Sequence, residues 1–199
     1  MAKNDLILLD GIIDDYLSRN LPSTKRDEVF EYLATEQILK DYAFSKEQLL
    51  SGSVDGRNDG GIDEFFILVN GHLAENIPAD FWPKSNAELE VYLITCKHDD
   101  SFKQAPITTM IPSLMELFDF TNHTSSLTAS YNEALLKKRD LLISTYRRLA
   151  VSLLMIITSI CLWLPSCWVM RKKVQKRKDK SHALRKAPEG DAHFFFAAI

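Results

Sequence analysis

The sequence predicts an α/β (α+β) domain, a mixed sheet flanked by helices. Three observations predict it. Two runs of strand length and composition, 62–69 and 88–97, are separated by turn-rich sequence. Segments with helical spacing of apolar residues lie on both sides of them. The composition, 46% hydrophobic and 26% charged over 199 residues, is that of a globular chain long enough for one core.

In 5–19, Leu6, Leu8, Leu9, Ile12, Ile13, Tyr16 and Leu17 recur at helical spacing, with Asp10, Asp14 and Asp15 outside. Leu21-Pro22 breaks that helix. Ser23 or Thr24 is placed to cap a second one, with Asp27 and Glu28 in its first turn, running to about Asp41. Val29, Tyr32, Leu33, Glu36 and Leu39 share one face of it, so Glu36 is a carboxylate on a largely apolar stripe. Glu31 points elsewhere and reads as surface. The stretch 51–61 is a turn-rich loop with four glycines. As a calcium loop, Asp55, Asp59 and Gly60 fit the first, fifth and sixth positions. Arg57 at the third and Phe66 at the twelfth do not, so the EF-hand is excluded and a flexible turn remains.

Residues 62–69 form the first strand, and Asn70-Gly71 is the strongest hairpin signal in the chain. An irregular stretch, with Phe81 and Trp82 between Pro78 and Pro83, leads to the second strand. The two strands are expected to be antiparallel neighbours with the Asn70-Gly71 turn at their junction and the helix of Glu36 packed on them. His98-Asp99-Asp100-Ser101 caps a helix that starts near Phe102 and resumes after Pro112. A polar linker over 121–130 and a helix over 132–148 follow.

Up to Arg148 there are 15 Lys+Arg against 24 Asp+Glu, a net of −9; from Leu149 on there are 9 against 3, a net of +6. The chain therefore divides into 1–153 and an atypical apolar and basic tail, 154–199. Residues 149–170 carry no charge and precede RKKVQKRKDK, which satisfies the length and flank of a transmembrane helix. Pro165 within the stretch and basic residues on both sides favour instead an out-of-frame or truncated end. In that case 149–153 belong to the fold, entering a further strand, and the rest packs poorly. Three cysteines without a CxxC pair exclude a disulfide scaffold and a structural zinc site. Acids in the first 17 residues exclude a secretory signal, so the expected location is cytoplasmic, with a single-pass membrane protein as the alternative.

Lys97 ends a hydrophobic strand, where packing alone does not explain a lysine. Asp63 on the neighbouring strand is its natural partner. With Glu36 the three make a candidate metal-dependent hydrolytic site. Carboxylate oxygens suit a hard cation, Mg2+ or Mn2+, and a nearby amine can handle a proton or stabilise charge.

The order of acid-bearing helix, Gly-rich turn, Asp-strand, hairpin and strand ending in Lys resembles the PD-(D/E)xK nuclease core. The segments FEYLATEQILKDYAFS, SGSVDGRNDGGIDEFFILVNG, LITCKHDDSFKQAPI, LMELFDF and LLISTYRRLAVSL are similar to the N-terminal part of the abortive-infection phage-resistance (AIPR) proteins, over roughly 7–153. The resemblance implies a restriction-endonuclease-like fold, C-terminally truncated, and a role in bacterial phage defence. It implies catalytic acids at Glu36 and Asp63, a catalytic Lys97, Gln104 lining the site, and DNA or RNA as partner. Thr95 stands where the motif carries Glu, Asp or Gln, and offers the cation only a hydroxyl. Two other readings follow: a catalytically degenerate binding or regulatory module of a defence system, and a small single-pass membrane protein.

Overall fold

The computed structural model describes residues 3–96, 105–150, 155–164, 167–176 and 196–198. Helix α1 (Lys3–Ser18) packs on α2 (Arg26–Ile38), and Arg26 ties them by bonding both Asp10 and Asp14 of α1. The cap of α2 is Lys25, not Ser23 or Thr24. Ser23 instead accepts the Lys25 N–H at 3.2 Å, a local turn that competes with capping. A short helix, α3 (Lys46–Leu50), opens on a reciprocal Ser45–Gln48 capping box.

Strand β1 (Glu64–Val69) is joined to β2 (His72–Leu73) by Asn70 and Gly71, at φ 51° and 80°. Both residues are left-handed, as the two-residue hairpin turn requires. That turn does not connect the two long strands, as the sequence suggested. It folds a two-residue strand onto one edge of β1, and the chain then makes two 3-10 turns before β3 (Glu88–Cys96) pairs along the other edge. β1 and β3 are antiparallel neighbours in the register Glu64↔Ile94 to Val69↔Leu89.

Helix α4 (Ala105–Leu117) runs through Pro112 rather than restarting after it. Pro112 is on the exposed side of the helix. Helix α5 (Glu133–Ala150) starts at Asn132, whose side chain accepts the Leu135 N–H at 2.8 Å. Strands β4 (Met155–Leu164), β5 (Cys167–Lys176) and β6 (Phe196–Ala198) extend the sheet to the order β2-β1-β3-β5-β4-β6, all antiparallel except β4 with β6.

A single transmembrane helix over 149–170 is not what the chain forms. Leu149 is buried in the last turn of α5, residues 151–153 of the expected strand entry lie outside the described residues, and 155–164 and 167–176 are strands. Among the described residues no helix is long and apolar enough to cross a membrane.

The sheet separates two apolar layers. Phe65, Ile67 and Val69 of β1, with Val91 and Leu93 of β3, face Met110 and Leu114 of α4 and Leu135 and Leu142 of α5. Phe66 and Leu68, with Tyr92 and Ile94, face Ile13, Val29, Leu33 and Leu49 of the first three helices. Alternation along each strand therefore assigns every side chain to one layer or the other.

Arg139 of α5 is fully buried, with the charge of Asp119 within electrostatic reach. It donates to the carbonyls of Leu117, Asp119 and Asn122 and to the Thr124 hydroxyl, all at 2.8–3.0 Å, and so fixes the connection between α4 and α5. Arg139→Ala is expected to cost about 3 kcal/mol in urea unfolding, because it strands buried carbonyls and opens a void. Arg139→Lys, lacking the planar fork, is expected to recover only part of that.

Candidate metal centre

The loop before β1 is built from residues that tolerate left-handed backbone. Gly56, Asn58, Gly60 and Gly61 all have positive φ, at 140°, 66°, 68° and 80°. The resulting curl turns Asp59 back on its own backbone, where its two carboxylate oxygens accept the N–H groups of Gly61 at 2.7 Å and Gly56 at 3.3 Å. Asn132, at the head of α5, holds the loop from outside. Its N–H donates to the Asn58 carbonyl at 2.9 Å and its side-chain amide to the Val54 carbonyl at 2.7 Å. Gly60 is pressed against α4 and the chain before α5. A Cβ there would sit 2.9 Å from Ser113 Oγ and 3.1 Å from Tyr131 Cε1. The stretch read as a flexible turn is a clamped loop.

Asp63 leads from this loop into β1 and is 3% exposed. Its N–H donates to the Ile94 carbonyl and its carbonyl accepts the Val54 N–H, both at 2.9 Å. One carboxylate oxygen, Oδ2, accepts the Cys96 N–H at 2.6 Å and the Thr95 hydroxyl at 3.2 Å. The carboxylate thus stands in for a backbone carbonyl at the end of the β3 ladder. Thr95 spends its hydroxyl proton on Asp63, where the resembled motif would place a second carboxylate.

Asp55, Asp59 and Asp63 converge. One carboxylate oxygen from each lies within 4.8 Å of the other two. Burial is graded along the group, Asp55 exposed, Asp59 half-buried and Asp63 buried, so it opens to solvent at one end. The donor set is all carboxylate, which fits a hard divalent cation that keeps waters, and does not fit zinc or a soft metal. Three like charges at this spacing repel one another, and a cation relieves that repulsion.

The other expected site residues fall differently. Thr95 shares the layer of Leu93 and meets Asp63. Glu36 is half-buried on α2, in the opposite layer, where its carboxylate accepts the Tyr16 hydroxyl at 3.1 Å. The structure does not bring Glu36 to Asp63. Its negative charge helps raise the phenols of Tyr16 and Tyr32 above their ordinary range, after burial itself. Lys97 and Gln104 lie outside the described residues.

Two further carboxylates, Glu64 and Glu31, meet where α2 approaches the start of β1. Glu64, the first residue of β1, is 7% exposed and faces α2. Burial pushes its carboxyl up to about 8, and the charges of Glu31 and Asp63 add to that shift. Glu31, read as surface, is half-buried and within electrostatic reach of Glu64. Glu31 and Thr35, one turn apart on α2, both act on Glu64, so this is the face that α2 presents to the start of β1. The four-residue spacing of Asp55, Asp59 and Asp63 within a glycine-rich loop was the available signal for the cluster. Testing the loop only against the EF-hand pattern hid it.

No family model, no curated protein and no solved structure matches this chain.

Proposed function

We propose that the acidic loop and the adjoining strand ends form a divalent-cation site that hydrolyses nucleic-acid phosphodiesters, in a restriction-endonuclease-like domain of a phage-defence protein. The observation that carries this reading is the convergence of Asp55, Asp59 and Asp63 within 4.8 Å on a clamped loop beside the end of β3. Mg2+ or Mn2+ held there supplies a Lewis acid for a phosphoryl oxygen and an acidified water. Asp63, fixed by Cys96 and Thr95, is the rigid ligand. Asp59, oriented by Gly56 and Gly61, is the second, and exposed Asp55 is the one that can adjust. Lys97, by the resemblance, handles the proton or stabilises charge on the phosphate. A domain with a net charge of −9 up to Arg148 repels a polyanion, and a cation held by Asp55, Asp59 and Asp63 would lower that repulsion at the site.

Titration calorimetry of the full chain with Mn2+ is expected to give one saturable site. Asp55→Asn and Asp59→Asn are each expected to weaken it by about tenfold or more, since affinity follows ligand charge. Labelled DNA and RNA should be cut in Mg2+ or Mn2+ and spared after chelation. A wild-type chain that binds no cation sinks the reading. A second reading is favoured by Thr95, which leaves the centre without the acid of the resembled motif: the site organises nucleic-acid binding without cleaving. Cation binding with no cleavage of either nucleic acid selects it.

A further inference from the structure

At the far end of β1 from Asp63 lies an open groove of about 760 Å³, bounded by α3, the hairpin turn and the 3-10 turns that follow it. Six residues of strand separate the two, roughly 20 Å, so the groove is a site of its own. In a domain rich in charge, none of its fourteen lining residues is Asp, Glu, Lys or Arg. Its size is that of a small-molecule pocket.

The walls are aromatic and fixed. Tyr42 and Phe44 stack at 5.4 Å with 11° between the rings. Tyr42 is held from behind by its hydroxyl, bonded to Glu90 at 2.6 Å and to Tyr92 at 2.7 Å. Across the groove Phe81 is 78% exposed, more than any other large apolar side chain among the described residues. The segment that carries it is pinned to α5 on both sides. Lys138 bonds Glu75 at 2.8 Å, and Arg148 bonds the Ala79 carbonyl at 2.7 Å while stacking over Trp82 at 4.4 Å. An exposed ring on an anchored segment is a preformed stacking surface and not a loose loop tip.

Two of the three lining amides are also set, and Asn76 and His72 line the groove beside them. Gln48 Oε1 is occupied by the Ser45 N–H and Asn70 Oδ1 by the Glu88 N–H, at 2.9 and 2.7 Å. Each amide therefore has its oxygen turned to the backbone and keeps its NH2 as a donor. A ligand for this groove is planar, uncharged, stacks on an aromatic ring and carries carbonyl oxygens. A nucleobase such as uracil, thymine or guanine meets all four conditions, and the absence of Lys and Arg leaves the phosphates in solvent.

We propose that the groove binds a nucleobase of a single-stranded nucleic acid. This rests on the nucleic-acid reading above and names its substrate as single-stranded, because a paired base cannot enter such a groove. Uridine is the probe, added to the full 15N-labelled chain, with the side-chain amide signals of Gln48 and Asn70 as readout. Saturable shifts of both are expected. Phe81→Ala, at an exposed position that leaves the thermal melt unchanged, is expected to weaken binding about tenfold, the effect of losing one base–aromatic stack. Absence of saturable shifts with uridine, thymidine and guanosine overturns the proposal. So do shifts indifferent to Phe81→Ala, or a polyproline peptide that occupies the groove when nucleosides do not. Because nucleoside binding needs no cation, the two readings fail separately. Cleavage without nucleoside binding removes only the groove, and nucleoside binding without cation binding removes only the acidic centre.

Discussion

Asp63→Ala is expected to lower cation-dependent cleavage by about a hundredfold or more, and to weaken the fold as well. Substitutions one shell out from a metal commonly cost ten- to a hundredfold, and a ligand costs at least the upper end. The carboxylate also accepts the Cys96 N–H and the Thr95 hydroxyl in a site that is 3% exposed. Alanine removes the acceptor of both bonds, a cost of about 1–3 kcal/mol in urea unfolding. Asp63→Asn separates the two effects. Its carbonyl oxygen can still take the Cys96 N–H, so stability should fall by less than about 1 kcal/mol, while the charge that holds a cation is gone. Cleavage retained by a folded Asp63→Asn chain would falsify the metal centre. Thr95→Glu is the complementary change. It buries a second carboxylate beside Asp63 at a position 1% exposed. The variant should therefore melt lower than wild type without Mn2+ and gain more on its addition, by linkage to a tighter site. A melting temperature equally indifferent to Mn2+ in both chains would remove Thr95 from the site.

The sequence carried the two long strands well because both are buried on both faces. Glu64–Val69 and Leu89–Cys96 lie between two helical layers, and such strands read as continuous apolar runs. The Asn70-Gly71 turn was equally legible as a turn, since its two left-handed residues are a local requirement. Its partner strand was not, because β2 is two residues long and has no pattern to read. The site was harder for the same physical reason. Asp63 could be found from its place at the head of a strand. Which acid of α2 approaches the start of β1 depends on the rotation of the helix against the sheet. Helix periodicity put Glu36 on the apolar stripe, but that stripe serves α1 as well as the sheet, and Tyr16 of α1 takes its carboxylate. Asp55 and Asp59 come together only through four residues at positive φ and the grip of Asn132 from 70 or more residues away, neither of which has a periodic signature.

Glu64 supplies a large expected dependence of stability on pH between about 4.5 and 8. It sits at 7% exposure between β1 and α2. Its Oε2 and the Thr35 hydroxyl oxygen are both buried without a hydrogen-bond partner among the described residues. Thr35 is thus close enough to oppose the shift but not placed to satisfy the carboxylate. Burial is the largest cause of the shift, the charges of Glu31 and Asp63 add to it, and the carboxyl is pushed up to about 8 from the ordinary 4.5. The folded chain therefore keeps a proton on Glu64 across a window in which the unfolded chain has released it. The stabilising contribution is complete below about pH 4.5 and is lost as pH rises to about 8, with a total on the order of 3–5 kcal/mol. Carboxylates held below their usual range, such as Glu116 with its bonds from Thr128, Ala129 and Tyr131, give the opposite slope at lower pH. Comparison with one variant isolates Glu64 from them. Glu64→Gln resembles the protonated acid in size and can donate to Thr35. It should match wild type near pH 5 and exceed it by a few kcal/mol near pH 8 in urea unfolding of the full chain. Parallel stability profiles for the two chains across that range would mean that Glu64 is ionised in the folded protein, and that a cation or an ordered water meets its charge from the α2 side.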